Sequence, residues 1–193
     1  RYEINHGRLS WIGDGWRFQT GPMQVYDPVV NTTWRIANRI ELASLVEERE
    51  PGCLRLYGEV PSEIVPDRVL QVRDGIRDQV GAFIVNSRNI VWNNVGMHYM
   101  HGLGIVCQFS ENLSFEAIHV TPRLETGRTA AAFADILHMS GCRGKITIAK
   151  SHFEGAHDDA INVHGTHLKI IDQPAPNQIR VRFMHGQSYG FNA

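Results

Sequence analysis

Cysteine is scarce: Cys53, Cys107 and Cys142 are the only three in 193 residues. An odd count with no CxxC pairing builds neither a disulfide framework nor a zinc knuckle. The thiols are expected to be buried as small apolar fillers. Long apolar runs are missing too, none approaching the roughly 20 residues of a membrane span. Neither sign of charge is in excess, since 19 basic side chains are interspersed with 20 acidic ones for a net charge of −1. With no basic stripe, nucleic acid is not an expected partner. No signal-like segment opens the chain, which begins at Arg1 and breaks off at Gly190-Phe191-Asn192-Ala193; a piece of a longer or processed protein is expected. The length suits one good core with room for a second small module.

A loose repeat begins near Ala82. Ser87-Arg88-Asn89-Ile90-Val91-Trp92 resembles Ser110-Glu111-Asn112-Leu113-Ser114-Phe115, and Ile90 and Leu113 are 23 residues apart. Cys142-Arg143-Gly144-Lys145-Ile146-Thr147-Ile148 reads as the next copy, displaced by an insertion around Pro122 to Arg128. A second series drifts the same way through Gly104-Ile105-Val106-Cys107, Asp135-Ile136-Leu137-His138 and Ala160-Ile161-Asn162-Val163. The segments are short, β-branched and bounded by Gly, Asn or Ser, which reads as strand and turn. A period in the low twenties with several strands per repeat predicts a β-solenoid whose coils bury inward side chains against their neighbours. Residues 76–193 are therefore expected to form right-handed parallel β-helix coils. Asn89 and Asn112 fit an asparagine ladder, and stacking is the plainer use for Asn162 as well.

Residues 1–75 are different. Leu9–Ile12 and Gly15–Gln19 alternate around Gly13-Asp14-Gly15, which predicts a hairpin. Thr32–Ile36, Cys53–Tyr57 and Arg68–Val72 are further strand candidates, punctuated by Pro51-Gly52, Pro61 and Pro66, and Ile40–Glu50 reads as a short helix. The expectation is an all-β protein: a compact antiparallel, barrel-like module joined to the solenoid near residues 74–80.

The chemistry-bearing run is His157-Asp158-Asp159-Ala160-Ile161-Asn162-Val163-His164-Gly165, with Asp135 lying 23 residues before Asp158. Adjacent strands are about 4.8 Å apart, so one coil of offset brings carboxylates close together on the outer wall. In a turn, Asp158 and Asp159 can both face out and simply brace backbone amides. Asp135 tips the balance towards catalysis, because it interrupts the apolar run Phe133-Ala134-Asp135-Ile136-Leu137, where solubility requires no charge. Crowded acids repel, so one of the three is expected to hold a proton near neutral pH. A protonated acid beside an ionised one is what glycoside hydrolysis uses.

His138 and His164 follow the acids by three and five residues and are candidates for binding sugar hydroxyls or holding a carboxylate, as is Asn162 for substrate contact. Trp16 and Trp34, each beside an arginine, offer flat apolar faces suited to sugar rings, while Trp11 and Trp92 are expected in cores. Arg73 and Arg77 flank the module junction. His98-x-x-His101 and His164-x-x-His167 lack the glutamate of a helical HExxH, so no catalytic metal and no cofactor are expected.

The stretch from Phe133 to Gly165 resembles glycoside hydrolase family 110, bacterial α-1,3-galactosidases built on a right-handed parallel β-helix. The matching pieces are Asp135-Ile136-Leu137-His138, Ser140-Gly141-Cys142-Arg143-Gly144 and Asp158 through Gly165. Gly102-Leu103-Gly104-Ile105 and Ser110-Glu111-Asn112-Leu113 resemble that family's preceding coil, and the likeness spans about residues 75 to 170. The resemblance implies an exo-acting hydrolase that removes terminal α-1,3-linked galactose with inversion. Asp135, Asp158 and Asp159 would fall on the active-site acids, and the first module would be a β-barrel-like insertion. It also implies a glycan substrate and an extracellular or periplasmic location. Two other readings stay open: a polygalacturonase-like pectin hydrolase, and a non-catalytic carbohydrate-binding β-helix fragment. Pectin would favour a basic groove, and only Lys145 and Lys150 are near the acids in sequence.

Overall fold

A computed structural model describes residues 2–5, 8–11, 23–72 and 79–184. The chain divides into two compact units, Arg1–Ile76 and Arg77–Ala193. Among the described residues, regular structure is almost wholly strand; the exceptions are the four-residue helix α1 (Arg39–Leu42) and a single 3-10 turn, Leu124–Thr126.

The first unit is antiparallel. β1 (Tyr2–Asn5) pairs with β2 (Arg8–Trp11), and β3 (Met23–Asp27) lies between β4 (Thr32–Ile36) and β7 (Val69–Val72). β5 (Leu45–Glu50) and β6 (Cys53–Tyr57) form a hairpin closed at Pro51-Gly52, where Gly52 takes φ +84°. The helix expected over Ile40–Glu50 is confined to α1. In a helix, Glu47, Glu48 and Glu50 would crowd one side of the rod and repel. In the strand they alternate between faces, with Val46 buried opposite Leu56 and the Tyr57 hydroxyl donating to Glu47 Oε2 at 2.8 Å. Cys53 is exposed, contrary to the filler role expected of it, because it opens an edge strand at the hairpin turn. The Gly13-Asp14-Gly15 hairpin falls outside the described residues, and β2 pairs back with β1.

The second unit is built on parallel pairing. One sheet runs β15 (Ile161–His164), β12 (Leu137–Ser140), β10 (Leu103–Gln108) and β8 (Val80–Val85). In the other, β11 (Glu111–Val120) is flanked by β9 (Arg88–Met97) on one side and by β13 (Arg143–Ala149) and β14 (His152–Phe153) on the other. Apart from β14, which follows β13 in the same sheet, successive strands from β8 to β15 alternate between the two sheets. The crossover that a parallel pair requires is thus itself a strand of the opposite sheet.

Register explains why the repeat is legible. Ile90, Leu113 and Ile146 share one level, and Trp92, Phe115 and Ile148 another. Trp92 packs edge-on against Phe115 with ring centroids 6.1 Å apart. The offset is 23 residues between Asn89 and Asn112 and 32 between Glu111 and Arg143, the longer step containing the insertion with its 3-10 turn. In the second series the pairing is Ile105, Leu137, Ile161, one residue later in the middle copy than the sequence drift suggested. A one-residue slip exchanges faces; the observed register sends Leu137 and Met139 into the core and His138 outward.

The asparagine ladder forms at its first two rungs. Asn112 Nδ2 donates to Asn89 Oδ1 at 3.1 Å, both residues having φ near +55°. The third rung is Gly144 (φ +73°), where a Cβ would collide with Asn112 Oδ1; that oxygen instead accepts from Lys145 N at 3.0 Å. Cys107 is fully buried, and burial together with the nearby Cys142 thiol pushes it up to about 12. For this cysteine the filler role is correct.

One glycine positions the candidate site. Gly104 N donates to Asp135 O at 2.8 Å, and a Cβ at Gly104 would enter the backbone carbonyl of Ile136. Gly104→Ala is expected to cost about 1–3 kcal/mol, as overpacking does. Calorimetry should then show a melting temperature several degrees lower, at ~2–4 °C per kcal/mol; an unchanged melting temperature would refute this close approach.

Candidate active site

Two turns and two strands of the second unit build the site. Asp135 was expected on a strand but lies in the turn just before β12. Its backbone is clamped between coils: its carbonyl accepts from Gly104 N at 2.8 Å, and the next amide, Ile136 N, donates to Asp159 O at 3.0 Å. Asp158 and Asp159 occupy the turn before β15, the neighbouring strand, so both can leave the core without violating strand alternation. The stacking offset is 24 residues, which sets Asp135 against Asp159 rather than Asp158.

Asp135 is 4% exposed, and its oxygens are well supplied with donors. Oδ2 meets His138 Nδ1 at 2.6 Å and accepts from Asn162 Nδ2 at 3.1 Å, while Oδ1 accepts from Asp159 N at 3.3 Å. Burial alone would raise its pKa, but the hydrogen bonds from His138, Asn162 and the Asp159 amide outweigh it and hold Asp135 below the usual carboxylate range. The buried member of the trio, which desolvation alone would protonate, is the one its neighbours keep ionised.

Asp158 and Asp159 are exposed, and one carboxylate oxygen from each of Asp135, Asp158 and Asp159 lies within 4.8 Å of the others. That is near enough for a cation to bridge them. Asp135, however, already accepts three hydrogen bonds of the about four that an ionised carboxylate takes, and we do not read the trio as a metal centre.

The polar residues expected to bind sugar contact each other instead. His138 and His164 approach through Nε2 at 3.1 Å, and His164 Nδ1 is 2.8 Å from Gly165 O. Both ring nitrogens of both histidines are thereby engaged. Asn162, expected in a ladder, turns its amide to Asp135 because the site acid lies within reach of β15. His164 and His167 lie with ring centroids 6.1 Å apart, the strand having ended at His164 so that strand alternation does not hold between them. Trp34 lies on β4 of the first unit beneath the Arg68 guanidinium, 5.0 Å from its centroid. Trp16, Arg73 and Arg77 fall outside the described residues.

An aromatic ladder beside the acids was not anticipated. Isolated bridges join Met100, Ala132 and Ala156 in parallel, which aligns His101, Phe133 and His157, and Tyr99, one residue before Met100, also packs on Phe133. The Tyr99–Phe133 centroids are 5.7 Å apart and the Phe133–His157 centroids 4.9 Å, and Arg128 lies 3.7 Å over the Tyr99 ring. Phe133 and His157 precede Asp135 and Asp159 by two residues each, so the repeat that aligned the acids would have aligned the rings as well.

Comparison with known proteins carries this geometry further. Over its whole length the chain is 41% identical to "Alpha-1,3-galactosidase A" of Bacteroides thetaiotaomicron. It is 45% identical to the protein of that name from Bacteroides fragilis, and 43% to that from Akkermansia muciniphila. The chain is similar to alpha-1,3-galactosidases. It spans about a third of the length of these relatives, 34% of the first and 32% of the other two. No family model matches it. All three acids and both site histidines lie inside the similar region, which covers 100% of this chain.

Proposed function

We propose that this chain is the acid-bearing part of a glycoside hydrolase that removes terminal α-1,3-linked galactose from glycans. The observation that carries the reading is the convergence of Asp135, Asp158 and Asp159 in a chain similar throughout to proteins named alpha-1,3-galactosidase. Under this reading the protein belongs to glycoside hydrolase family 110, and the two alternating parallel sheets are coils of a right-handed β-helix. The antiparallel unit is an insertion, and the enzyme works outside the cytoplasm.

The mechanism follows from charge and spacing. Asp158 and Asp159 reach solvent and carry the water-activating role: one carboxylate takes a proton from a water molecule as the water oxygen bonds to the anomeric carbon. The glycosidic C–O bond breaks, and its electron pair goes to the leaving oxygen, which takes a proton from a general acid. In an inverting enzyme acid and base stand roughly 6.5–9.5 Å apart. The trio is tighter than that, so it is assigned to the water side and the proton donor lies outside it. Asp135, ionised and enclosed, positions the pair through the Asp159 amide rather than touching sugar.

Proton NMR of galactose-α-1,3-galactose with the full-length protein tests this. β-Galactose in the first minutes, before mutarotation, is the expected result. Early α-galactose would overturn inversion alone, and an intact disaccharide would overturn the galactosidase reading. The relatives' names favour neither the pectin hydrolase nor the non-catalytic module.

A further inference from the structure

Three polar contacts run in series from Asp135 to the edge of β15, and together they need more protons than two neutral imidazoles carry. Asp135 Oδ2 meets His138 Nδ1 at 2.6 Å, His138 Nε2 meets His164 Nε2 at 3.1 Å, and His164 Nδ1 meets Gly165 O at 2.8 Å. Asn162 Nδ2 supplies a further donor to Asp135 at 3.1 Å. Each link needs one hydrogen. The Gly165 carbonyl only accepts, so His164 Nδ1 carries a proton. The two Nε2 atoms need one between them. The Asp135–His138 link needs a third. A neutral imidazole carries one ring proton, so two neutral rings and an ionised aspartate bring only two.

We infer that Asp135, His138 and His164 form a relay that stores one proton beyond the two of neutral imidazoles, leaving the three side chains together with no net charge. The count does not depend on where the proton sits. With it on Asp135, His138 accepts at Nδ1 and donates at Nε2; with it on the histidines, one ring is an imidazolium beside a carboxylate. The donors aimed at Asp135 from Asn162 and the Asp159 amide favour the second arrangement.

The surroundings are consistent with a stored positive charge. Among the described residues, Asp158 and Asp159 each bring a carboxylate oxygen within 4.8 Å of one on Asp135, and the His167 ring lies 6.1 Å from that of His164. On the adjoining strand β10, Val106 pairs with His138 and Gln108 with Ser140, which adds no charge on that side. The acids exceed the one further histidine. A neutral relay behind Asp158 and Asp159 spares them a third uncompensated negative charge at a separation below 4.8 Å, where like charges in a partly buried site repel strongly. His164 is then a positioning residue: it acts through His138 on Asp135, and a sugar need not touch it. This catalytic consequence rests on the glycosidase reading above, whereas the proton count does not.

The test is direct. The full-length protein is labelled with 15N-histidine, and long-range 1H–15N spectra at neutral pH are assigned from His138→Gln and His164→Gln; either variant identifies its own ring by the signals that vanish. The expected result is three protonated nitrogens among the four of His138 and His164. His164→Gln can donate an amide hydrogen to His138 Nε2 without any stored proton. In that variant His138 is expected to keep Nδ1–H and show a bare Nε2. Two protonated nitrogens in the wild type, one per ring, beside an Asp135 carboxyl carbon with the 13C shift of an ionised carboxylate would overturn the inference whatever the disaccharide assay shows; two beside a protonated Asp135 would place the stored proton on the acid and support it. Three with an intact disaccharide would support the proton store and count against the galactosidase reading alone.

Discussion

Asp158→Asn and Asp159→Asn are each expected to lower turnover of galactose-α-1,3-galactose by about 10²–10⁴-fold, the range over which a positioned general base contributes. Both side chains lie in the turn before β15 and reach solvent, with oxygens within 4.8 Å of each other and of Asp135. Asparagine keeps the shape and removes the ability to take a proton from water. Because the two sites are exposed, stability should change by no more than about 0.5 kcal/mol. The informative comparison is turnover against substrate affinity. Binding of the disaccharide, followed by calorimetry on the variants, should persist while turnover falls. If both variants hydrolyse at the wild-type rate, the water-activating role moves away from this pair. If both lose binding and turnover together, the carboxylates grip substrate rather than activate water.

Asp135→Ala should behave in the opposite way, costing stability first. The substitution leaves His138 Nδ1, Asn162 Nδ2 and the Asp159 amide facing a cavity in place of the carboxylate that accepts from them in the wild type. Removing one partner of a buried charged pair costs about 3–5 kcal/mol, on the order of 10 °C in melting temperature for a chain of this size. Asp135→Asn should cost less. Its amide oxygen can replace Oδ2 towards His138 and Asn162, leaving only the Asp159 amide opposed by an NH₂ group. A melting temperature for the alanine variant at or above that of the asparagine variant would contradict this ordering.

Acid adds a sign to the prediction. Although burial pushes upward, the hydrogen bonds from His138, Asn162 and the Asp159 amide hold the Asp135 carboxyl below the ordinary aspartate value. A carboxylate depressed in the folded state stabilises fully above its unfolded pKa, and loses that contribution as pH falls through the lower folded value. The stability gap between wild type and Asp135→Asn should therefore narrow as pH falls from roughly 5 to below about 3.8. Urea titrations stepped through that range measure it; a gap that widens with acid would mean that Asp135 is not held ionised.

Much of the architecture was legible because parallel stacking repeats the same environment at a near-fixed interval. Ile90, Leu113 and Ile146 are similar in sequence because each fills the same level of one core. The same logic brought Asp135 to the second aspartate turn and placed the insertion between residues 122 and 128. It failed by one residue in the middle copy, where Ile136 and Leu137 are adjacent and both fully buried, so apolar character does not mark which of them pairs with Ile105. The helix expected at Ile40–Glu50 failed for a related reason. Its apolar residues fit either period, and the choice fell to a partner strand, Cys53–Tyr57, that local sequence does not weigh.

For the site, sequence alone determined which residues arrive on the same wall: three aspartates, His138, His164 and Asn162 recur at coil spacing. What each one does was decided only by the fold. Whether Asp135 is protonated or ionised depends on three donors converging from two other segments, and His138 turns to Asp135 rather than to solvent because an acid three residues away in sequence faces the same side across the turn. Contacts along the stacking direction follow from the period of the chain and can be read from it. Contacts across a level depend on side-chain rotamers and on burial, and these exist only once the coils have packed.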